Sequence, residues 1–120
     1  MLGLAQGIAI LAMAQAPVAD NFGRQALVDG RETAAIAAIM DNDRIETDDP
    51  ARLINLGIAY AREGDAELAR QLFEAARDNR TRVELETAEG EWVDSRRLAR
   101  QALAMLERGE FADSARIAAR

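Results

Sequence analysis

The sequence predicts an all-α fold, a short stack of antiparallel helix pairs (an α-solenoid), with a small β-hairpin or loop inserted near residues 82–94. The chain is rich in alanine and leucine and holds only two prolines, a composition that suits helices because alanine loses no side-chain entropy there. Apolar residues recur with the i, i+3, i+4, i+7 spacing of amphipathic helices. Gly30 and Gly64 occupy matching positions in two successive segments, which indicates that one helix pair follows another.

The clearest helix pair spans about 50–79. Asp49-Pro50 predicts a helix cap followed by a first-turn proline. Gly64 predicts the end of that helix, with positive φ, and Asp65 the cap of the next. The second helix carries an apolar stripe, which consists of Leu68, Ala69, Leu72, Phe73, Ala75 and Ala76.

Gly57 falls in the middle of the first helix of this pair, where glycine costs about 1 kcal/mol relative to alanine. We expect its missing side chain to let the second helix approach closely, near Ala69. When the sequence is shifted so that Gly30 falls on Gly64, apolar and small residues coincide at other positions too, which supports a repeated unit. The matches are 21–23 with 55–57, Gly30 with Gly64, Ala35 with Ala69, and Ile39 with Phe73.

Residues 50–81 resemble a tetratricopeptide repeat (TPR), a 34-residue helix–turn–helix unit. The positions that carry the resemblance are Leu56-Gly57, Tyr60, Ala69, Phe73 and Ala76. Leu53 stands where the family has Trp, and Thr81 stands where it has Pro. Ahead of this unit, residues 17–49 are a degenerate copy. The resemblance implies a small exported TPR-like domain of bacterial type, whose first helices line a concave face that holds a peptide or another protein.

Residues 1–16 form an apolar leader. The run from Leu2 to Ala16 is uncharged and shorter than the ~20 residues that span a bilayer. Ala12-Met13-Ala14 has the small-residue spacing that signal peptidase recognises. We predict a signal peptide, cut after Ala14 or Ala16, and a periplasmic or secreted domain of residues 17–120. No Lys or Arg precedes Arg24, which leaves an apolar helix packed on a cytoplasmic domain as the alternative.

The spacing of apolar residues changes from helical to alternating after the second helix pair. Val83, Leu85 and Thr87 alternate with polar residues before a turn at Glu89-Gly90, which predicts a short β-hairpin or an extended loop. We expect it to lie on the helices through Leu85 and Trp92. Asp94-Ser95 and Gly109 then predict the cap and the end of another helix. The helix pairs therefore span about 19–41, 50–79 and 95–119, with the insert at 82–94.

Composition argues against catalysis. The chain has no cysteine and no histidine, which removes thiolate chemistry and the commonest acid–base side chain. No Gly-rich phosphate loop joins a strand to a helix. We expect no enzymatic activity, no cofactor and no metal site. The formal net charge of −6 disfavours nucleic acid, and we expect no integral membrane span.

A set of residues is predicted to contact a protein or peptide partner, either on the concave face or, for the tryptophan, from the hairpin. They are Asn21, Arg24, Leu27, Asn55, Ile58, Arg62, Trp92 and Leu103. In this hypothesis the arginines meet a carboxylate and Asn55 bonds a peptide backbone. The alternative is a structural, self-associating (homo-oligomeric) helical protein without a separate ligand, because two or three helix pairs are near the minimum for an independent array.

Overall fold

Five α-helices and a small sheet occupy the part of the chain that this computed structural model describes, residues 12–13, 23–87 and 89–111. The helices are α1 (Arg24–Val28), α2 (Glu32–Met40), α3 (Pro50–Arg62), α4 (Ala66–Arg77) and α5 (Ser95–Glu107). The strands are β1 (Ala12–Met13), β2 (Glu84–Thr87) and β3 (Trp92–Asp94). The prediction of a mostly helical chain is confirmed. Most of the predicted leader, Asn21 and the end of the third predicted pair lie outside the described residues.

The helices pack as adjacent pairs around α3. Helix α1 packs on α2, α3 packs on α4, and α5 lies against both members of the second pair. Helix α3 also contacts α1, α2 and β1, so eleven of its 13 residues are buried. It begins as predicted, because a carboxylate oxygen of Asp49 accepts from the N–H groups of Ala51 (2.9 Å) and Arg52 (3.3 Å). The core of the molecule is therefore centred on α3.

Helices α1 and α3 end in the same hydrogen-bonded turn. The bonds run from Gly30 N–H to Leu27 O (3.1 Å), Arg31 N–H to Ala26 O (2.8 Å), Gly64 N–H to Ala61 O (3.1 Å) and Asp65 N–H to Tyr60 O (2.9 Å). Gly30 has φ 75° and Gly64 has φ 94°, the left-handed conformation that glycine adopts without steric cost. The predicted turn at Gly64 is confirmed, and the same bond pattern is present at Gly30.

Two glycines allow close helix contacts. A β-carbon on Gly57 would lie 2.7 Å from Cδ1 and 3.0 Å from Cζ of Phe73. A β-carbon on Gly23 would lie 2.9 Å from the carbonyl oxygen of Ala35 and 3.0 Å from Cγ1 of Ile39. Gly57 therefore approaches α4 as expected, but the group nearest to it is the Phe73 ring and not Ala69.

The first helix pair is not a full copy of the second. Gly23 has φ 66° and precedes the first residue of α1, whereas Gly57 lies inside α3. A left-handed residue interrupts the α-helical hydrogen-bond ladder, so α1 has five residues where α3 has 13. The predicted equivalence of the two glycines holds for their contacts with the following helix but not for their backbone conformation.

The insert at 82–94 is a β-hairpin, which was one of the two predicted alternatives. Strands β2 and β3 pair antiparallel, with Leu85 opposite Val93 and Glu86 opposite Trp92. Leu85 is buried on the helices as expected, but Trp92 is 55% exposed. The strand register explains why Trp92 is exposed and not an anchor on the helices. Side chains alternate between the two faces of a sheet, and Trp92 shares the outer face with Glu86. Val93 packs on the core instead.

The sheet has a third strand that the sequence did not predict. The backbone of β1 pairs antiparallel with β2, with Ala12 opposite Thr87 and Met13 opposite Glu86. Both residues of β1 belong to the predicted leader. In the chain described here, that part of the leader is an edge strand of the sheet and contacts α3.

Helix α5 begins and ends where the sequence predicted. A carboxylate oxygen of Asp94 accepts from the N–H groups of Arg96 (2.8 Å) and Arg97 (3.3 Å). Gly109 follows the helix with φ 72°. Beyond it, the ring of Phe111 is buried and stacks on Phe73 with centroids 6.0 Å apart. Phe73 thus joins α3, α4 and the segment after α5.

Candidate functional site

Arg62 is a structural residue in this fold. Its Nη1 donates to the carbonyl oxygen of Leu27 at 2.8 Å and lies 3.6 Å from a carboxylate oxygen of Glu32. Burial lowers the pKa of Arg62, while the charge of Glu32 and a hydrogen bond to it raise the pKa in part. The guanidinium therefore joins α3 to the end of α1 and to the start of α2, where it is largely shielded from a partner's carboxylate.

The other predicted groove residues are also mostly internal. Leu27, Asn55 and Ile58 are fully or almost fully buried. Leu103 is half-buried against the core, and Arg24 is the first residue of α1. The physical reason is the position of α3, which is enclosed by helices on several sides and by β1. Leu27, Asn55 and Ile58 therefore do not line an open concave face.

Two further arginines bind backbone carbonyl groups at or just after the C-terminal ends of other helices, and the sequence analysis did not identify them. Arg52 Nη1 donates to the carbonyl oxygen of Ile39 in the last turn of α2 at 3.3 Å. Arg96 Nη2 donates to the carbonyl oxygen of Asn79, just beyond α4, at 2.7 Å. Cations are favourable beside the negative end of a helix dipole. For Arg52, the available signal was its position directly before the uncharged run 53–61; no comparable signal marked Arg96.

Trp92 is the predicted contact residue that the structure leaves open. It lies on the outer face of the hairpin with three acidic residues, since the register pairs Glu86 with Trp92 and Glu84 with Asp94. We call this surface, formed by Glu84, Glu86, Trp92 and Asp94, the hairpin face. Large aromatic side chains such as tryptophan are enriched at protein interfaces relative to the rest of the surface.

The charges of the hairpin face are unevenly paired. Arg82 donates from Nε to Asp94 Oδ2 at 2.7 Å, which neutralises that carboxylate. Partial burial raises the pKa of Asp94, but hydrogen bonds from the backbone N–H groups of Arg97 and Arg96 and from Arg82 outweigh it, so the pKa lies below its ordinary value. Glu84 and Glu86 form no ion pair with any residue in the described part of the chain.

An open cleft lies between the α2–α3 loop and the end of α4. It has a volume of about 440 Å³ and is lined by Thr47, Asp48, Leu53, Ala75, Asn79, Arg80 and Thr81. Part of this wall is used internally, because Asn79 Nδ2 donates to the carbonyl oxygen of Asp48 at 2.6 Å. The cleft also carries opposite charges on Asp48 and Arg80.

Within residues 12–13, 23–87 and 89–111, no three acidic side chains are placed to hold a metal ion. Across the same ranges, no helix combines the length and apolarity needed to cross a membrane. The chain matches no family model, no curated protein and no solved structure. The chemistry of its own surface therefore carries the functional proposal.

Proposed function

We propose that this protein is a non-catalytic binding or scaffolding module, built from TPR-like helix pairs, that takes a protein partner on the hairpin face. The single observation that carries the proposal is Trp92, which is 55% exposed on a strand held by the helices. Burial of an exposed tryptophan is among the largest contributions one residue makes to an interface.

The TPR-like part of the proposal is supported by contacts that recur at matching positions of the first two helix pairs. A β-carbon on Gly23 would meet Ile39 and one on Gly57 would meet Phe73, and the turns at Gly30 and Gly64 share one bond pattern. The separation of Gly30 from Gly64 along the chain is the length of one TPR unit. Such pairs act as rigid supports, so a hairpin between the second pair and α5 is held in a fixed position for a partner.

We assign binding to the hairpin because the residues of the expected groove are buried in the core or hydrogen-bonded within the protein. Asn55 and Ile58 have no exposed surface, and Arg62 already donates to Leu27. A peptide could reach these groups only after helices separate. The hairpin face needs no such rearrangement, and rigid-body contact is the common mode of protein association.

The test is a co-purification of the full chain from its source cell with two single variants. Trp92→Ala removes the exposed ring, and Gln71→Ala removes an exposed side chain from α4, away from both candidate surfaces, as a control. We expect Trp92→Ala to lose a partner that the wild type and Gln71→Ala retain, while all three proteins melt at similar temperatures. Recovery of the same proteins by all three would contradict the proposal.

Self-association is the alternative function, and two exposed apolar side chains outside the hairpin face favour it. Val28 is 43% exposed and Met40 is 54% exposed, so α1 and the end of α2 offer contact area to another copy. Light scattering over a concentration series separates the two functions. A mass that rises with concentration and falls back in Val28→Ser/Met40→Ser would support self-association. A monomer at all concentrations would leave the partner-binding function as proposed.

A further inference from the structure

The hairpin face carries unpaired negative charge. Glu84 and Glu86 are free of ion pairs in the described residues, and so are the exposed Glu89 and Glu91 at the turn. Arg82, which precedes β2, is neutralised by Asp94. The hairpin face itself therefore carries a net negative charge from Glu84 and Glu86.

The register brings a carboxylate next to the indole. Glu86 lies directly opposite Trp92, and side chains at such positions have their β-carbons ~5 Å apart. A guanidinium stacked on the Trp92 ring within ~6 Å of its centre would thus reach the Glu86 carboxylate as well. Arginine suits this arrangement better than lysine, because its planar group stacks on aromatic rings while its N–H groups point outwards to carboxylates.

The spacing of the glutamates favours an extended partner. Glu84 and Glu86 are two residues apart on β2, a separation of ~7 Å along a strand. Alternate residues of an extended peptide have the same separation. A segment with basic residues at alternate positions would place one on Trp92 and Glu86 and the next on Glu84. An acidic segment or a nucleic acid would meet unpaired carboxylates of like charge.

We infer that the hairpin face recognises an extended, arginine-bearing segment of a partner protein, with one guanidinium stacked on Trp92 and paired with Glu86. The inference rests on the proposed function and deepens it. Since each contact would be at least partly open to solvent, it would be individually weak, and recognition requires the aromatic and the acidic groups together.

Trp92 is the only tryptophan in the chain, so its fluorescence reports this surface directly. The probe is a synthetic peptide of alternating Arg and Ser, compared with peptides in which Lys or Glu replaces Arg, titrated into the full chain. We expect the Arg peptide to change the emission and to bind more tightly than the Lys peptide. The Glu peptide should not bind. Equal responses to the Arg and Glu peptides would overturn the inference.

Two double variants distinguish binding of the Arg peptide at the hairpin face from its general electrostatic attraction to an acidic protein. Glu84→Gln/Glu86→Gln removes two charges from the hairpin face, and Asp43→Asn/Glu46→Gln removes two exposed charges from the α2–α3 loop. We expect the first to weaken the Arg peptide about tenfold and the second to change its affinity by less than about twofold. Equal weakening in both variants would overturn the inference.

Failure of the inference is distinguishable from failure of the proposed function. A partner that depends on Trp92 in co-purification but is retained in full by Glu84→Gln/Glu86→Gln would leave the binding function standing and refute the basic segment. If Trp92→Ala retains every partner, both are refuted. A Trp92-dependent partner that is lost by the glutamate variant and released by raised salt, together with specific binding of the Arg peptide, supports both.

Discussion

The ring of Phe73 fills the space that a side chain on Gly57 would occupy. Cδ1 of the ring lies 2.7 Å from the position of a β-carbon on Gly57, which is closer than two carbon atoms approach in unstrained packing. Phe73 is itself fully buried and stacks on Phe111. A ring held on two sides has little freedom to move away from a larger residue.

Gly57→Ala should destabilise the protein. In an unconstrained helix this change would stabilise by about 1 kcal/mol, but here the added methyl group displaces Phe73, and overpacking costs about 1–3 kcal/mol. Gly57→Leu should cost more and lower the melting temperature further. Urea denaturation of the wild type and the two variants measures the effect, and a Gly57→Ala protein more stable than wild type would refute the contact.

A double-mutant cycle assigns the clash to Phe73. Phe73→Leu alone opens space in the core and should destabilise the protein. Combined with Gly57→Ala, it should cost less than the sum of the two single changes, because the methyl group then has room. Additive losses would indicate that the two positions are independent.

Gly64→Ala should destabilise through the backbone alone. A β-carbon at Gly64 would meet no atom within 4 Å, but the φ of 94° is unfavourable for any residue with a side chain. We expect a loss of about 1 kcal/mol after the gain from a stiffer unfolded chain is subtracted. Gly64→Asn, which tolerates left-handed conformations, should lose less. Equal melting temperatures of the alanine variant and the wild type would contradict a positive φ at residue 64.

Arg62→Met should weaken the contact of α3 with the first helix pair. The methionine keeps much of the apolar stem but removes the donor to Leu27 O and the charge beside Glu32. Loss of a partly buried donor costs about 1–3 kcal/mol. Arg100→Met is the control, since Arg100 is exposed on α5 and should change stability by less than about 0.5 kcal/mol. Similar unfolding midpoints for the two variants would contradict a structural role for Arg62.

Asp94 should make stability depend on pH in the acid range. Its pKa in the folded protein is lower than its ordinary value, so the folded state favours the ionised form. The stabilisation is therefore present at neutral pH and is lost as pH falls below about 4, through the folded pKa. Asp94→Asn retains a capping oxygen but not the charge, so its urea midpoint should fall less between neutral and acid pH than that of the wild type. The exposed Asp43→Asn is the control, and an unchanged pH dependence in Asp94→Asn would refute the assignment.

Export remains a prediction that mass spectrometry can test. If a signal peptidase cuts after Ala14 or Ala16, the mature chain begins at Gln15 or Pro17 and β1 is removed from the edge of β2. Mass spectrometry of the protein from the envelope fraction of its source cell should then show the shortened chain. An intact N-terminus would leave β1 as a permanent strand of the sheet.

Local features were predictable because they depend on neighbours in the chain. The caps at Asp49, Asp65 and Asp94 each accept from backbone N–H groups within the next three residues. The turn at Gly64 and the end of α5 at Gly109 follow from glycine's freedom to take positive φ. The alternation in 82–94 likewise indicated strands, since it depends only on the two-residue period of a strand.

Which face of an element meets solvent depends on residues far away in the chain. Ile58 was expected to contact a partner, but α3 is enclosed by other helices and by β1. The local sequence pattern does not indicate how many elements will pack on a helix. Trp92 was expected to serve as an anchor, but the pairing of β2 with β3 turned it outward. The sequence by itself determined the caps that begin α3, α4 and α5 and the glycine turns that follow α3 and α5, because backbone hydrogen bonds and φ preferences are local. Only the tertiary structure decided which side chains remain available to a partner, because burial depends on packing between distant segments.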